Sequence, residues 1–176
     1  LVDEKLEMLR VLASDGHEIG THTMNHSGFN TFIESGGNID SYISDEVIPA
    51  LEMLQNLGFE VDSFSYPNGQ RNSEIDEMLK PHFNTIRTTR SSDSSITSWK
   101  TGCEDGQVIM GSSIERMEES EVLDALDSAK DDEKSVLFYS HELSNSSKWD
   151  ITEFRSLISE AQDRNLPFLL MNDLAK

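Results

Sequence analysis

The chain has 176 residues, a hydrophobic fraction of 36%, and 33 acidic against 14 basic side chains, a net charge of −19. That length fits a single domain over 1–176, and a mean hydropathy of −0.48 with no long apolar run predicts no membrane span. The negative charge repels nucleic-acid backbones and anionic membrane surfaces, and the single cysteine, Cys103, excludes an internal disulfide framework and a cysteine-based zinc cluster.

The charge excess keeps the protein soluble, and with only seven lysines it also fits adaptation to high salt. The sequence opens on Leu1 with neither a basic nor an apolar leader region. That opening points to missing upstream sequence, either a processed leader or more of the same domain.

Leu6, Leu9 and Leu12 recur at helical spacing before Gly16, which predicts a helix over 3–14. A short strand is predicted over 17–21, then a polar, glycine-containing loop over 25–38. The stripe of Ile39, Ile43, Val47, Leu51, Leu54 and Leu57 predicts a long helix with a kink at Pro49. A strand over 62–66 runs into the turn residues Pro67, Asn68 and Gly69.

A helix over 73–80 capped by Ser73, a strand over 84–89 and a serine-rich loop over 90–106 follow. The pattern then predicts a strand at 108–112, an amphipathic helix at 118–130 and a buried strand at 136–140. It closes with a helix at 151–164, a strand at 168–171 and the start of a further helix at 172–176. Alternating strands and helices favour a parallel sheet, open or closed into a barrel. In such folds chemistry sits where strands end. Three polar clusters take that position: His22 to His26, Tyr66 to Gly69, and Ser140 with His141.

His22 and His26 form an H-x-x-x-H pair, and a four-residue step lets two imidazoles face one ion on a helical or turned backbone. A pair of solvated loop histidines is the plainer reading of the same spacing. The H-E-x-x-H zinc helix is not matched, because Thr21 follows His17-Glu18 and Asn145 follows His141-Glu142 at the required position. His141, after an apolar strand, suits a general acid or base. His17 reads as structural, His82 as a surface residue, Cys103 as an inert thiol, and Trp99 and Trp149 as packing residues. Nucleophile-elbow, phosphate-loop and dinucleotide fingerprints are absent from the sequence.

Together these segments resemble the NodB-homology polysaccharide deacetylases, carbohydrate esterase family 4. The run GHEIGTHTMNH over 16–26 resembles the family's G-H-E-I-G and H-S/T-x-x-H motif. Phe64 to Gly69 resembles its F-x-Y-P-x-G variant, and Val136 to His141 its apolar strand ending in L-x-H. The resemblance covers nearly the whole chain.

It implies a deformed (β/α) barrel, incomplete at its N-terminus, and metal-dependent removal of N-acetyl groups from an N-acetylated glycan. His22 and His26 would bind a divalent metal, zinc first among the choices. The Asn68 backbone N–H would hold the oxyanion and His141 would protonate the leaving amine. Family members also imply an extracellular or cell-surface location.

The departures are specific. The family's T-F-D-D motif, which supplies an aspartate ligand and the base, has no match before residue 16. Ser65 stands where most members have arginine, Tyr139 replaces the leucine of L-x-H, and the fourth motif is not identified, Asp93 and Trp99 being candidates for it. The chain therefore reads as the C-terminal portion of the family domain, with little or no activity in isolation for lack of the upstream aspartate base and ligand. Exposed edges of a truncated barrel point to self-association. The alternatives are a non-catalytic carbohydrate-binding relative, and a metal hydrolase of esters or small amides on the same scaffold.

Overall fold

A computed structural model describes residues 2–89, 98–100, 107–141, 143 and 149–175. The expected positions Asp93 and Cys103 lie outside them, and Trp99 falls in a strand described by its backbone.

The chain forms two compact units. The first holds residues 1–88, 105–109 and 170–176; the second holds 89–104 and 110–169. The first begins with α1 (Val2–Ser14), which stops at Gly16 with a φ of 89°, a conformation that favours glycine. Leu6, Leu9 and Ala13 of α1 pack on the first core. The expected loop over 25–38 contains a short helix, α2 (Phe29–Glu34), because Phe29 buries its ring against Tyr42 at a centroid distance of 5.3 Å.

The long helix is three joined pieces: α3 (Ile39–Tyr42), a π-turn (Ile43–Val47) and α4 (Ile48–Asn56). Pro49 has no N–H to offer the carbonyl four residues back. Just before it, the Ile48 N–H reaches Ile43 O, five residues back, so the helix absorbs the proline by a π-turn.

Strand β1 (Ser63–Ser65) pairs in parallel with β2 (Thr85–Thr89) after α5 (Ser73–Leu79). Asn72, not Ser73, caps α5 by accepting the Ile75 N–H at 2.9 Å. The core here is Phe64, Tyr66, Phe83, Ile75, Leu79 and Ile86, each at most 2% exposed.

The second unit has β3 (Ser98–Lys100), α6 (Glu119–Asp131), β5 (Lys134–Val136), β6 (Phe138–Tyr139) and α7 (Ile151–Asp163). Between β3 and α6 runs β4 (Val108–Ser113), the longest strand described. Its core gathers Ile114, Val122, Leu126, Trp149, Leu157 and Ala161, so Trp149 is a packing residue.

The expected incomplete (β/α) barrel is corrected by the strand pairing. Four strands hydrogen-bond in the order β1-β2-β4-β6, and β3 pairs antiparallel with β5 as a separate two-stranded sheet. Two of the six expected strands are not strands. Residues 17–21 contribute one parallel bridge, Thr21 to Phe64. Residues 168–171 form no strand; Phe168 and Leu169 are 60% and 50% exposed, and a 3₁₀ turn (Met171–Ala175) follows. An apolar run becomes a strand only when a neighbouring edge takes its backbone groups. The single strand expected at 136–140 is divided at Leu137, its first part pairing with β3 and its second with β4. It is half-buried rather than buried. The expected loop over 90–106 contains β3. No described helix is long and apolar enough to cross a membrane.

Removing the ring of Phe64, fully buried between Tyr66 and Phe83, should cost about 3–5 kcal/mol. Phe64→Ala should lower the urea midpoint by that amount, while the exposed Phe168→Ser should change stability by less than about 0.5 kcal/mol.

Candidate functional site

Parallel pairing brings strand ends together, and the polar clusters follow from it. Thr21 bonds on both sides of Phe64: its N–H reaches Ser63 O at 3.0 Å and its carbonyl accepts the Ser65 N–H at 2.9 Å. Gly20 permits this approach, because a Cβ there would lie 2.5 Å from Ser63 Oγ. His22 is the next residue. Its Nδ1 lies 2.6 Å from Ser65 O. A carbonyl can only accept, so Nδ1 carries the proton in this contact.

The H-x-x-x-H segment is turned rather than helical. Thr23 and His26 both take left-handed φ values, 66° and 57°. For a β-branched residue this costs about 1–3 kcal/mol. The turn brings the two imidazoles edge to face, with ring centroids 4.8 Å apart.

What holds that strained loop is Glu46, a carboxylate 5% exposed within the π-turn. Its oxygens accept from the Asn25 N–H at 2.9 Å, the Asn25 side-chain amide at 3.0 Å and the Ser27 hydroxyl at 2.8 Å. Its own carbonyl accepts the Met24 N–H at 2.8 Å, and the Tyr42 hydroxyl donates to Ser27 O at 3.0 Å. Burial pushes the Glu46 carboxyl up, but the donors from Asn25 and Ser27 outweigh it and hold its pKa below the ordinary value. Burial pushes the Tyr42 phenol up, and the neighbouring Glu46 charge adds to that.

Below His22 lies a cavity of about 300 Å3. Alternate residues make up most of its walls, Glu18, Gly20 and His22 on one segment, Ser63 and Ser65 on β1, and Arg87 on β2, with Thr21 and Met171 beside them. This is the period-two face of extended backbone. The register places Arg87 opposite Ser65, and Arg87 Nε donates to Ser65 Oγ at 2.8 Å. The site thus has a guanidinium although Ser65 itself is small. Glu18 is fixed from the other end of the sequence, where the Asn172 N–H donates to its Oε2 at 2.9 Å.

Asn68 sits in the 3₁₀ turn (Pro67–Gly69) with a φ of 56°, a left-handed conformation that asparagine tolerates. The turn's bonds run from the Gly69 N–H to Tyr66 O and from the Gln70 N–H to Pro67 O, and neither uses the Asn68 N–H. Buried Asp76 anchors both sides of the turn. It accepts the Tyr66 hydroxyl at 2.8 Å and a forked contact from Arg71, whose Nε lies 2.9 Å from each oxygen. The hydrogen bond to Asp76 raises the Arg71 pKa, and burial with that same contact raises the Tyr66 phenol.

In the second unit, Ser112 pairs with Phe138 and Ser113 with Tyr139. Glu115 and His141 each lie two residues beyond this register, at matching strand ends. His141 Nδ1 lies 2.9 Å from Glu115 Oε2, and the His141 N–H donates to Oε1 at 2.7 Å. The Ser140 hydroxyl also donates to Oε1, at 3.1 Å. Glu115 accepts, so Nδ1 carries the proton in this contact. The imidazole is 73% exposed and meets the Tyr139 ring edge to face.

The structure thus pairs His22 with His26 and gives Asn68 an uncommitted N–H; in the other unit it pairs His141 with Glu115. His17 and His82 are exposed. Among the described residues no three His, Cys, Asp or Glu side chains gather as a metal-binding group. Glu46 and Glu115 were not singled out from sequence. The one signal for Glu46 was its spacing, four residues after Tyr42 and four before Ala50, both buried, which puts a charge on a buried helix face. No family model matches the chain, and no curated protein matches it.

A carboxyl with a depressed folded pKa stabilises the fold above its unfolded pKa, and the contribution is lost as pH falls through the folded value. Stability should therefore drop as pH falls through and below about 4, the ordinary carboxylate range. Glu46→Gln should cost about 1–3 kcal/mol at neutral pH and flatten that acid limb in urea titrations run from pH 7 to pH 3.

Proposed function

We propose that the protein is a metal-dependent hydrolase that removes N-acetyl groups from an N-acetylated polysaccharide. The observation that carries this reading is the imidazole pair: His22 Nδ1 is held by Ser65 O, and the His26 ring lies 4.8 Å away. Two imidazoles this close fit a divalent ion of the zinc type. Such an ion, when bound, supplies Lewis acidity and lowers the pKa of a bound water.

The remaining roles fall to the chain's own groups. The Asn68 N–H, left out of its turn's hydrogen bonds, suits donation to a developing oxyanion. His141 suits proton delivery to the leaving amine through Nε2, since Glu115 secures Nδ1. Glu115 is a positioning residue: it sets the tautomer and stabilises the imidazolium. The motif pattern at 16–26, 64–69 and 136–141 supports an N-acetylated glycan as the substrate.

The test is acetate release from an N-acetylglucosamine oligomer with and without added zinc. The expected result is slow, zinc-dependent release, abolished by His22→Ala and reduced about 10²–10⁴-fold by His141→Ala. Glycan binding without release at any zinc concentration would overturn the reading in favour of a carbohydrate-binding protein.

A further inference from the structure

The loop that carries His22 and His26 runs on through Ser27 and Gly28 into α2, and there it meets the turn that carries Asn68. The meeting is made by one side chain. Gly28 is the N-cap residue of α2 and has no side chain to offer the backbone N–H groups of the first turn. Gln70, the residue after the Asn68 turn, supplies the capping oxygen instead. Its Oε1 accepts the Thr31 N–H and the Thr31 hydroxyl, each at 3.2 Å. The Thr31 N–H can only donate, so it is the amide oxygen that faces it. A Cβ at residue 28 would lie 2.3 Å from Gln70 Oε1, so the missing side chain of Gly28 is the space that Gln70 fills.

Each partner is anchored from behind. On the loop side, the Tyr42 hydroxyl donates to Ser27 O at 3.0 Å, and Phe29 is buried. On the turn side, the Gln70 N–H donates to Pro67 O at 3.2 Å, and the Thr88 hydroxyl donates to Gly69 O at 3.0 Å. Among the described residues, the two bonds to Gln70 Oε1 are the hydrogen bonds that join α2 to the turn. A helix of six residues is marginal by itself, so a cap borrowed from the turn binds the two segments into one body.

We propose that Gln70 is a positioning residue that keeps the imidazole loop and the Asn68 turn in register. Its effect on catalysis rests on the hydrolase reading above; the coupling itself belongs to the metal-free chain. Hydrolysis at a carbonyl needs the imidazole pair and the oxyanion donor at one separation, and a misplacement of about 1 Å can cost about 10²-fold in rate.

The experiment separates that role from simple capping. Gln70→Ala removes the borrowed cap. Gly28→Ser, added to it, gives α2 a cap of its own, since residue 28 already has the extended backbone of an N-cap. The second substitution restores the helix but not its bond to the turn, so the urea midpoint should drop with the first and return with the second. Coupling is read in the metal-free chain by amide hydrogen exchange at Gly69, whose N–H bonds to Tyr66 O, relative to the Phe83 amide. In the native chain, Glu46→Gln loosens the imidazole loop and should raise Gly69 exchange over that of Phe83 by about threefold or more. In the chain with Gln70→Ala and Gly28→Ser, Glu46→Gln should leave that ratio unchanged. For acetate release, Gln70→Ala should lower kcat by about tenfold or more with KM within about threefold. Gly28→Ser should not recover kcat, whereas Gln70→Glu, which keeps an acceptor for Thr31, should. If Gln70→Ala alone unfolds, the double variant and Thr31→Val, which removes one of the two donors, carry the test. A Gly69 response that survives in the double variant, its absence from the native chain, an undiminished kcat in Gln70→Ala, or recovery of kcat by Gly28→Ser overturns the proposal. No zinc-dependent release from the native chain would remove the hydrolase reading and leave the exchange result to decide the coupling.

Discussion

A single buried carboxylate governs the geometry of the imidazole pair. Glu46 accepts three hydrogen bonds from the loop that carries His22 and His26, and it does so from within a π-turn. The π-turn itself follows from one residue. Pro49 lacks an N–H, and the helix slips by one residue just before it, so that Ile48 bonds to Ile43 O. Without this support, the left-handed backbone at Thr23 and His26 loses three of the hydrogen bonds that offset its strain. The chain of cause runs from a proline to a helix irregularity, then to a carboxylate, and from there to a turned loop with two imidazoles edge to face.

A second rule, common to both units, concerns parallel strands. Parallel pairing aligns strand ends, so residues just past them become neighbours however far apart they are in sequence. Thr21 beside Phe64 puts His22 against Ser65, and Ser113 beside Tyr139 puts Glu115 against His141. In each pair an oxygen accepts from Nδ1 and orients the ring.

The helices were largely legible, because apolar spacing is a local property. The helix at 3–14 and the one at 151–164 differ from α1 and α7 by one residue at an end. The positions of His22, Asn68 and His141 after extended segments were legible for the same reason. The edges of the sheet were not. Residues 17–21 and 168–171 have strand-like composition, yet strand formation depends on a partner, and they find one bridge and none. The polar run 98–100 does form a strand because β5 takes its backbone bonds. The barrel expectation failed on these segments. Within the sites, Glu46 and Glu115 were illegible because their hydrogen-bond partners lie 19 to 26 residues away in sequence. Only the strand register and the π-turn bring them there.

The account stands on the tautomer of His22 and on its pairing with His26. Nitrogen-15 spectra of the two imidazoles, recorded at neutral pH with and without one equivalent of zinc, test this directly. The account predicts that His22 is protonated at Nδ1 in the metal-free chain. Zinc should then shift Nε2 of His22 and one nitrogen of His26 together, and Glu46→Gln should weaken that joint response. A His22 ring protonated at Nε2, or zinc shifts at one histidine without the other, would contradict it.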